Sequence, residues 1–488
     1  MKQISFFLLF TACLLFAGCE PNQTVTITGK VTGGNDQKLL IVPPIEGYTA
    51  NYFSEEITPD AEGNFSFTFT AQEASTASVI LYGKGSKMFI VEPGETYHCD
   101  IDSSDGFILN IQGKNEEGNR LFTEKKYHDA YYDPLRKALV SRENPLAAEE
   151  IIIRVNEQKE TELAAFRTMQ QEGKTSAAFQ RVVERELRGY YAYLSCDILQ
   201  SYISLFSREN EEAARPYKEV LFLTMEANPP TDSELSKSSS WYRYTYMVYG
   251  MTMQEEFSRE ELMEIYNQGL GITHQMEWAS LFFTGKTKEY FQAYLLCREG
   301  SQSQFNKELI PLFEQFQQNY PQSAFTPYIK PQIDPIVDFY EKVKNPFSPG
   351  MKLVENMDHI ASLKEAVAPY KGKKIYIDVW ATWCGPCKEQ FKHNGPLKEL
   401  LKEKGVEMLY ISIDRPEDKT KWENMIKYYG LEGNHILGSE TLINDLRVIY
   451  NQNGMLAIPW YILFNEKGEM VELHAKQPSQ LEELKTFL

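Results

Sequence analysis

Cysteine is scarce in this chain, with 7 among 488 residues. They are too few and too widely spaced for a fold held together by disulfides. Cys13 and Cys19 fall at the extreme N-terminus, while Cys99, Cys196 and Cys297 stand alone, each reading as a small buried hydrophobe. Histidine is equally sparse, also 7, and His393, His435 and His474 supply no second tight ligand pair, so no metal is expected and no cofactor is implied. Positive charge is in deficit: 50 Lys and Arg against 68 Asp and Glu leave −18. That balance argues against nucleic acid as a partner and against electrostatic attraction to anionic lipid. The deficit lies upstream, because residues 351–488 hold 18 basic and 20 acidic side chains.

Long apolar runs are confined to the start of the chain. Met1-Lys2 precedes the apolar segment Ile4–Ala17, which is short for a membrane span and ends in Phe16-Ala17-Gly18-Cys19. A basic start, a short apolar core and small residues before a break describe a leader, expected over residues 1–18. Cys directly after Ala-Gly resembles a bacterial lipoprotein cleavage box, with Phe16 departing from the usual aliphatic residue. The resemblance implies lipidation at Cys19 and an extracytoplasmic protein held at a bacterial membrane by its acyl chains. Ordinary secretory cleavage is the alternative.

What the chain does have is Val379-Trp380-Ala381-Thr382-Trp383-Cys384-Gly385-Pro386-Cys387. Two thiols separated by two residues can close a small disulfide and reopen it. Lys374–Trp380 reads as a buried strand, β-branched and aromatic, and the residues from Lys388 to Leu401 read as a helix. A Cys-x-x-Cys at a strand-to-helix junction puts the first sulfur beside unpaired backbone N–H groups, which stabilise a thiolate. Half of a zinc site is the competing reading, and it lacks the other half. Thiol–disulfide exchange is the chemistry this arrangement suits.

The segment resembles the thioredoxin superfamily, and several neighbours extend the likeness. Asp378 occupies the place of the buried acid beneath the disulfide, which implies that it takes the proton of Cys387 as that thiol resolves a mixed disulfide; an Asp serving only local backbone donors is the plainer reading. Ile458-Pro459 precedes the apolar run Trp460–Phe464 and implies a cis-proline that binds an extended substrate chain, together with Trp383, Gly385, Pro386 and Trp460. The expected elements are strand 375–380, helix 387–403, strand Glu407–Asp414, helices Thr420–Tyr429 and Glu440–Tyr450, strand 460–464, hairpin partner Met470–His474 and helix Gln480–Phe487. Residues 345–488 thereby resemble the membrane-anchored TlpA/ResA-like branch. Three departures stand out: Lys392 replaces a helix-kinking proline, Trp460 replaces a threonine and would make one groove wall apolar, and the lysine beside the buried acid has no counterpart, with Met408 and Tyr410 in that strand. Glu389 reads as a solvated helix-surface acid.

Upstream, alternation at Thr24–Gly29, Phe65–Phe69, Val79–Tyr82, Met88–Val91 and Tyr97–Ile101 predicts an all-β sandwich domain over 19–114. Helical spacing at Ala147–Met169, Phe179–Phe206, Glu260–Leu281 and Phe305–Tyr320 predicts a helical domain over 115–344, with no 34-residue repeat consensus. The aromatic cluster Trp241–Tyr246 is either a ligand surface or, more simply, core. The expected fold class is therefore multidomain: an N-terminal β-sandwich, a helical middle and a C-terminal α/β thioredoxin fold.

The expected activity is thiol–disulfide exchange outside the cytoplasm. Cys384 attacks and Cys387 resolves; Gly385-Pro386 between them resembles the reducing thioredoxins, which implies the reducing direction, and the partners are protein disulfides and an upstream thiol donor. Two rivals are a peroxiredoxin-type peroxidase, for which Ala381 stands where a Thr or Ser is needed, and a surface binding lipoprotein with an accessory thioredoxin module.

Overall fold

Alternation of buried and exposed residues builds the first region as the pattern requires. In the computed structural model, which describes residues 23–33, 38–104, 106–125, 130–207, 211–302, 304–451 and 454–488, Val25, Ile27 and Val31 of the first strand point inward. The leader and Cys19 lie outside the described residues. Eight strands follow in order: β1 Thr24–Thr32, β2 Leu39–Val42, β3 Glu55–Ile57, β4 Asn64–Thr70, β5 Ser75–Leu81, β6 Gly85–Val91, β7 Thr96–Asp102 and β8 Ile108–Gly113. They form two four-stranded sheets, β4-β1-β7-β8 and β3-β2-β5-β6. One core, including Ile27, Ile41, Val79, Phe89 and Tyr97, draws on both sheets, so the sandwich is present.

By contact the chain divides into two units, one of residues up to Met263 plus Trp278–Phe291, the other Glu264–Glu277 plus Gln292–Leu488. In the first, helices Ala148–Gln171, Ala177–Phe206, Glu211–Ala227 and Trp241–Glu256 follow the sandwich. The expected helix Glu260–Leu281 is two, Arg259–Asn267 and Gly271–Phe282, because Gly269 takes φ +75° between them. Trp241, Tyr242 and Tyr244 are buried, with Trp241 against Phe283, Tyr290 and Phe291; the cluster is mainly core, with Arg243 and Tyr246 exposed. No helix among the described residues is long and apolar enough to cross a membrane.

The second unit contains a six-stranded sheet of β9 Met351–Leu353, β10 Lys374–Trp380, β11 Val406–Ser412, β12 Gly433–Leu437, β13 Trp460–Phe464 and β14 Met470–Glu472, ordered β14-β13-β10-β11-β12-β9. β10, β11, β12 and β9 pair in parallel, while β13 and β14 are antiparallel. β10 is central and buried almost throughout, which is why it reads as a continuous apolar run. β9 and β12 escaped the sequence reading, since three to five residues carry too little periodicity. The expected helix 387–403 is broken into Gly385–Phe391 and Asn394–Lys404. Lys392 is not a proline, but Pro396 stands four residues on, where its ring and missing N–H cannot serve the Lys392 carbonyl. The last helix is shorter than expected, Leu481–Leu484.

Candidate active site

β10 ends at Trp380 and delivers the cysteine loop at the C-terminal edge of the parallel strands. Cys384 and Cys387 are joined as a disulfide with their Cα atoms 5.4 Å apart. Cys384 caps the helix Gly385–Phe391, and its Sγ accepts the Cys387 backbone N–H at 3.1 Å. The same contact would favour a thiolate at Cys384 once the disulfide opens. Pro386 falls in the first helical turn, where its missing N–H is harmless. Cys387 is fully buried, whereas Trp383 is 54% exposed and Gly385 and Pro386 are also exposed. Cys384 itself is 4% exposed, so it lies just under an exposed rim of Trp383, Gly385 and Pro386, with Cys387 fully enclosed behind it.

Ile458–Pro459 is a cis peptide bond. In the antiparallel β10–β13 pair, Val379 faces Trp460, so Pro459 lies at the end of the sheet from which the cysteine loop leaves. Ile458 and Pro459 are half-buried. Trp460 corrects an expectation. Its ring is 2% exposed, packs edge-on to Tyr450, and donates Nε1–H to the Leu473 carbonyl at 2.6 Å. This side chain fills the core instead of offering an apolar groove wall, because both faces of β13 are covered and every one of its residues is buried.

Asp378 is fully buried and neither carboxyl oxygen has a hydrogen-bond partner. Burial pushes its pKa well above the ordinary carboxylate value, so the side chain holds a proton. Tyr410 on β11 and Tyr461 on β13 stand opposite it. These tyrosines occupy the surroundings where a lysine was absent from the sequence. His435 on β12 extends the row beyond Tyr410, stacking on it with ring centroids 4.8 Å apart.

Residues that the sequence reading missed bind the loop to its neighbours. Asp414 accepts hydrogen bonds from the Thr382 N–H and hydroxyl, each at 2.8 Å. Lys388 is buried, and desolvation, with repulsion from Lys421, lowers its pKa to about 8 despite attraction to Asp414. The Gln390 side chain accepts the Ser479 N–H at 3.0 Å. The Ser412-Ile413-Asp414 alternation at the end of an apolar strand was the available signal. Glu389 is exposed and paired with Lys392 at 2.5 Å, as a surface acid should be. Ala381 offers no hydroxyl; its carbonyl accepts the Cys384 N–H at 3.1 Å.

Other chemistry is muted among the described residues. Cys99, Cys196 and Cys297 are buried, and burial pushes all three thiols up, Cys99 and Cys297 to about 12. No group of three or more His, Cys, Asp or Glu gathers as a metal site. A pocket of about 500 Å³ in the first unit is lined in part by Lys237 and Lys286. Each lysine is held by carboxylates, Lys237 by Glu73 at 2.6 Å and Lys286 by Glu46 at 2.6 Å, which leaves little unbalanced charge for a ligand.

Residues 323–488 match the Redoxin family model. The thiol-disulfide oxidoreductase ResA of Bacillus thuringiensis subsp. konkukian is 30% identical over 116 residues, covering 23% of this chain and 62% of that protein. ResA of Bacillus cereus strain ZK is 37% identical over 102 residues, 21% of this chain and 54% of its own. The chain thus spans less than two thirds of the relatives' length. Among solved structures, the thioredoxin domain of a thiol-disulfide oxidoreductase from Bacteroides vulgatus aligns with 21% identity over 25% of this chain and 83% of that one, at a TM-score of 0.21.

Proposed function

We propose, from the premise that the C-terminal part of the chain is a redoxin domain of thioredoxin-like fold with a Cys-x-x-Cys pair, that the protein reduces protein disulfides outside the cytoplasm. The observation that carries this is the placement of Cys384 at a helix start, accepting the Cys387 N–H, with Cys387 buried behind it. In the reduced form the Cys384 thiolate attacks one sulfur of a substrate disulfide, and the other sulfur leaves and takes a proton. In the mixed disulfide the Asp378 carboxyl relays a proton, giving up its own as it takes that of Cys387; the Cys387 thiolate attacks the Cys384 sulfur, and the second substrate sulfur leaves and takes a proton. Two electrons pass to the substrate, and the enzyme is left as the disulfide seen here. An external dithiol donor must restore the pair. Trp383, Gly385, Pro386, Ile458 and Pro459 form the docking rim for the substrate chain.

The leader-like start and the Ala17-Gly18-Cys19 box in the sequence support lipidation, membrane anchorage and an extracytoplasmic site of action, where oxidised cysteines occur. Residues 19–114 and 115–344 then serve as sandwich and helical modules between anchor and redox domain. The test is insulin reduction by the full chain with dithiothreitol, together with a Cys387→Ser protein as a trap. Turnover above the uncatalysed rate and accumulation of disulfide-linked partners on Cys384 are expected. A pair inert toward both reagents would overturn the reading.

A further inference from the structure

Asp414 lies just beyond β11 and is 1% exposed. Its Oδ2 accepts the Thr382 backbone N–H at 2.8 Å and the Ser412 hydroxyl at 2.6 Å, while Oδ1 accepts the Thr382 hydroxyl at 2.8 Å. The Asp414 N–H in turn donates to Ser412 Oγ at 3.1 Å. Thr382 is fully buried two residues before Cys384. One residue before Asp414 and two before Thr382, the Ile413 N–H donates to the Trp380 carbonyl at 2.9 Å. The loop carrying the reactive sulfur is thus fastened to the end of β11 by backbone, hydroxyl and carboxylate together. Hydrogen bonds to an ionised acceptor in a dry site are the strong kind, and they hold geometry as well as energy. Lys388, buried immediately after Cys387, is attracted to the same carboxylate.

We propose that Asp414 is a positioning residue for the exchange reaction: by gripping Thr382 through both its N–H and its hydroxyl, it keeps Cys384 Sγ on the Cys387 N–H when the disulfide opens. This rests on the exchange reading above and adds a residue that does not touch the reacting sulfurs. A carboxylate suits the task because it accepts at every position, whereas an amide would turn a donor toward Thr382. The hydroxyl of residue 382 is the other half of the grip, and valine copies its shape without it.

The test compares the wild-type chain with Thr382→Val, Thr382→Ser and Asp414→Asn. Iodoacetamide alkylation of reduced Cys384 is followed against pH, and insulin reduction gives kcat and KM. Thr382→Val is expected to raise the alkylation midpoint by ~0.5 pH unit or more, since a loosened N–H no longer favours the thiolate. It should lower kcat about tenfold or more with little change in KM, because misplacement of a reacting group costs rate. Thr382→Ser should restore both, and Asp414→Asn should be at least as slow as Thr382→Val. A Thr382→Val protein that melts earlier but alkylates at the wild-type midpoint overturns the proposal, as does an Asp414→Asn protein as fast as wild type. Should Asp414→Asn fail to fold, the Val and Ser pair still decides. Wild-type insulin turnover judges the exchange reading, while the alkylation midpoint judges Asp414 whatever that turnover is.

Discussion

Asp378 and Tyr410 face each other across the parallel β10–β11 pair, both buried, an acid and a phenol where an acid and a cation would neutralise each other. Without a nearby cation, desolvation alone governs the carboxyl and raises its pKa well above 3.8. The folded state then holds a proton that the unfolded chain releases above about pH 4. Stability therefore falls as pH rises from the unfolded value toward the raised one, with a slope of at most about 1.4 kcal/mol per pH unit. Asp378→Asn should flatten that slope in urea titrations at pH 5 to 8, and should slow insulin reduction about a hundredfold by removing the carboxyl that relays the Cys387 proton. A variant with both the wild-type slope and the wild-type rate would refute both roles.

Lys388 shifts the other way. Its folded pKa is lowered to about 8 from 10.5, so between those values the unfolded chain binds the extra proton. Stability from this group rises with pH across that window. Lys388→Met should remove the rise, and denaturant midpoints measured at pH 8 and pH 10 would converge relative to wild type.

His435 is held neutral by burial, its pKa lowered to about 4 from 6.5, with Nε2–H donated to the Leu431 carbonyl at 2.8 Å. Below pH 6.5 the unfolded chain takes a proton that the folded one refuses, so stability is lost on acidification toward pH 4. His435→Phe keeps a ring on Tyr410 but loses the hydrogen bond, at roughly 1 kcal/mol. Thermal melts should show a lower midpoint at pH 7 and a weaker acid dependence.

Trp460 tests whether burial or groove-lining matters at this position. Trp460→Thr restores the residue usual in the thioredoxin pattern, yet here it empties a core site and unpairs the Leu473 carbonyl. Large-to-small changes of this kind cost about 3–5 kcal/mol. Chemical denaturation should show that loss. A stable variant with an altered substrate KM would show instead that the ring belongs to the groove.

The reaction centre was legible because its signals are local. Cys384, Gly385, Pro386 and Cys387 follow a seven-residue apolar strand, and Asp378 interrupts that strand at a spacing chemistry can use. The alternating strands of the sandwich were legible for the same reason. The partners of those residues were not. Thr382 and Asp414 are 32 positions apart, Gln390 and Ser479 are 89 apart, and no periodicity links them. The break at Lys392–His393 was hidden because Pro396, not a proline at 392, causes it.

By itself the sequence determined which residues can exchange a disulfide and which strand and helix carry them, because covalent spacing and hydrophobic period act over a few residues. Only the tertiary structure decided what surrounds them. It put tyrosines beside Asp378, turned Trp460 into the core and brought Asp414 to the cysteine loop. Those are consequences of sheet order and register, which place side chains from distant strands on one face and decide which charges lose their water.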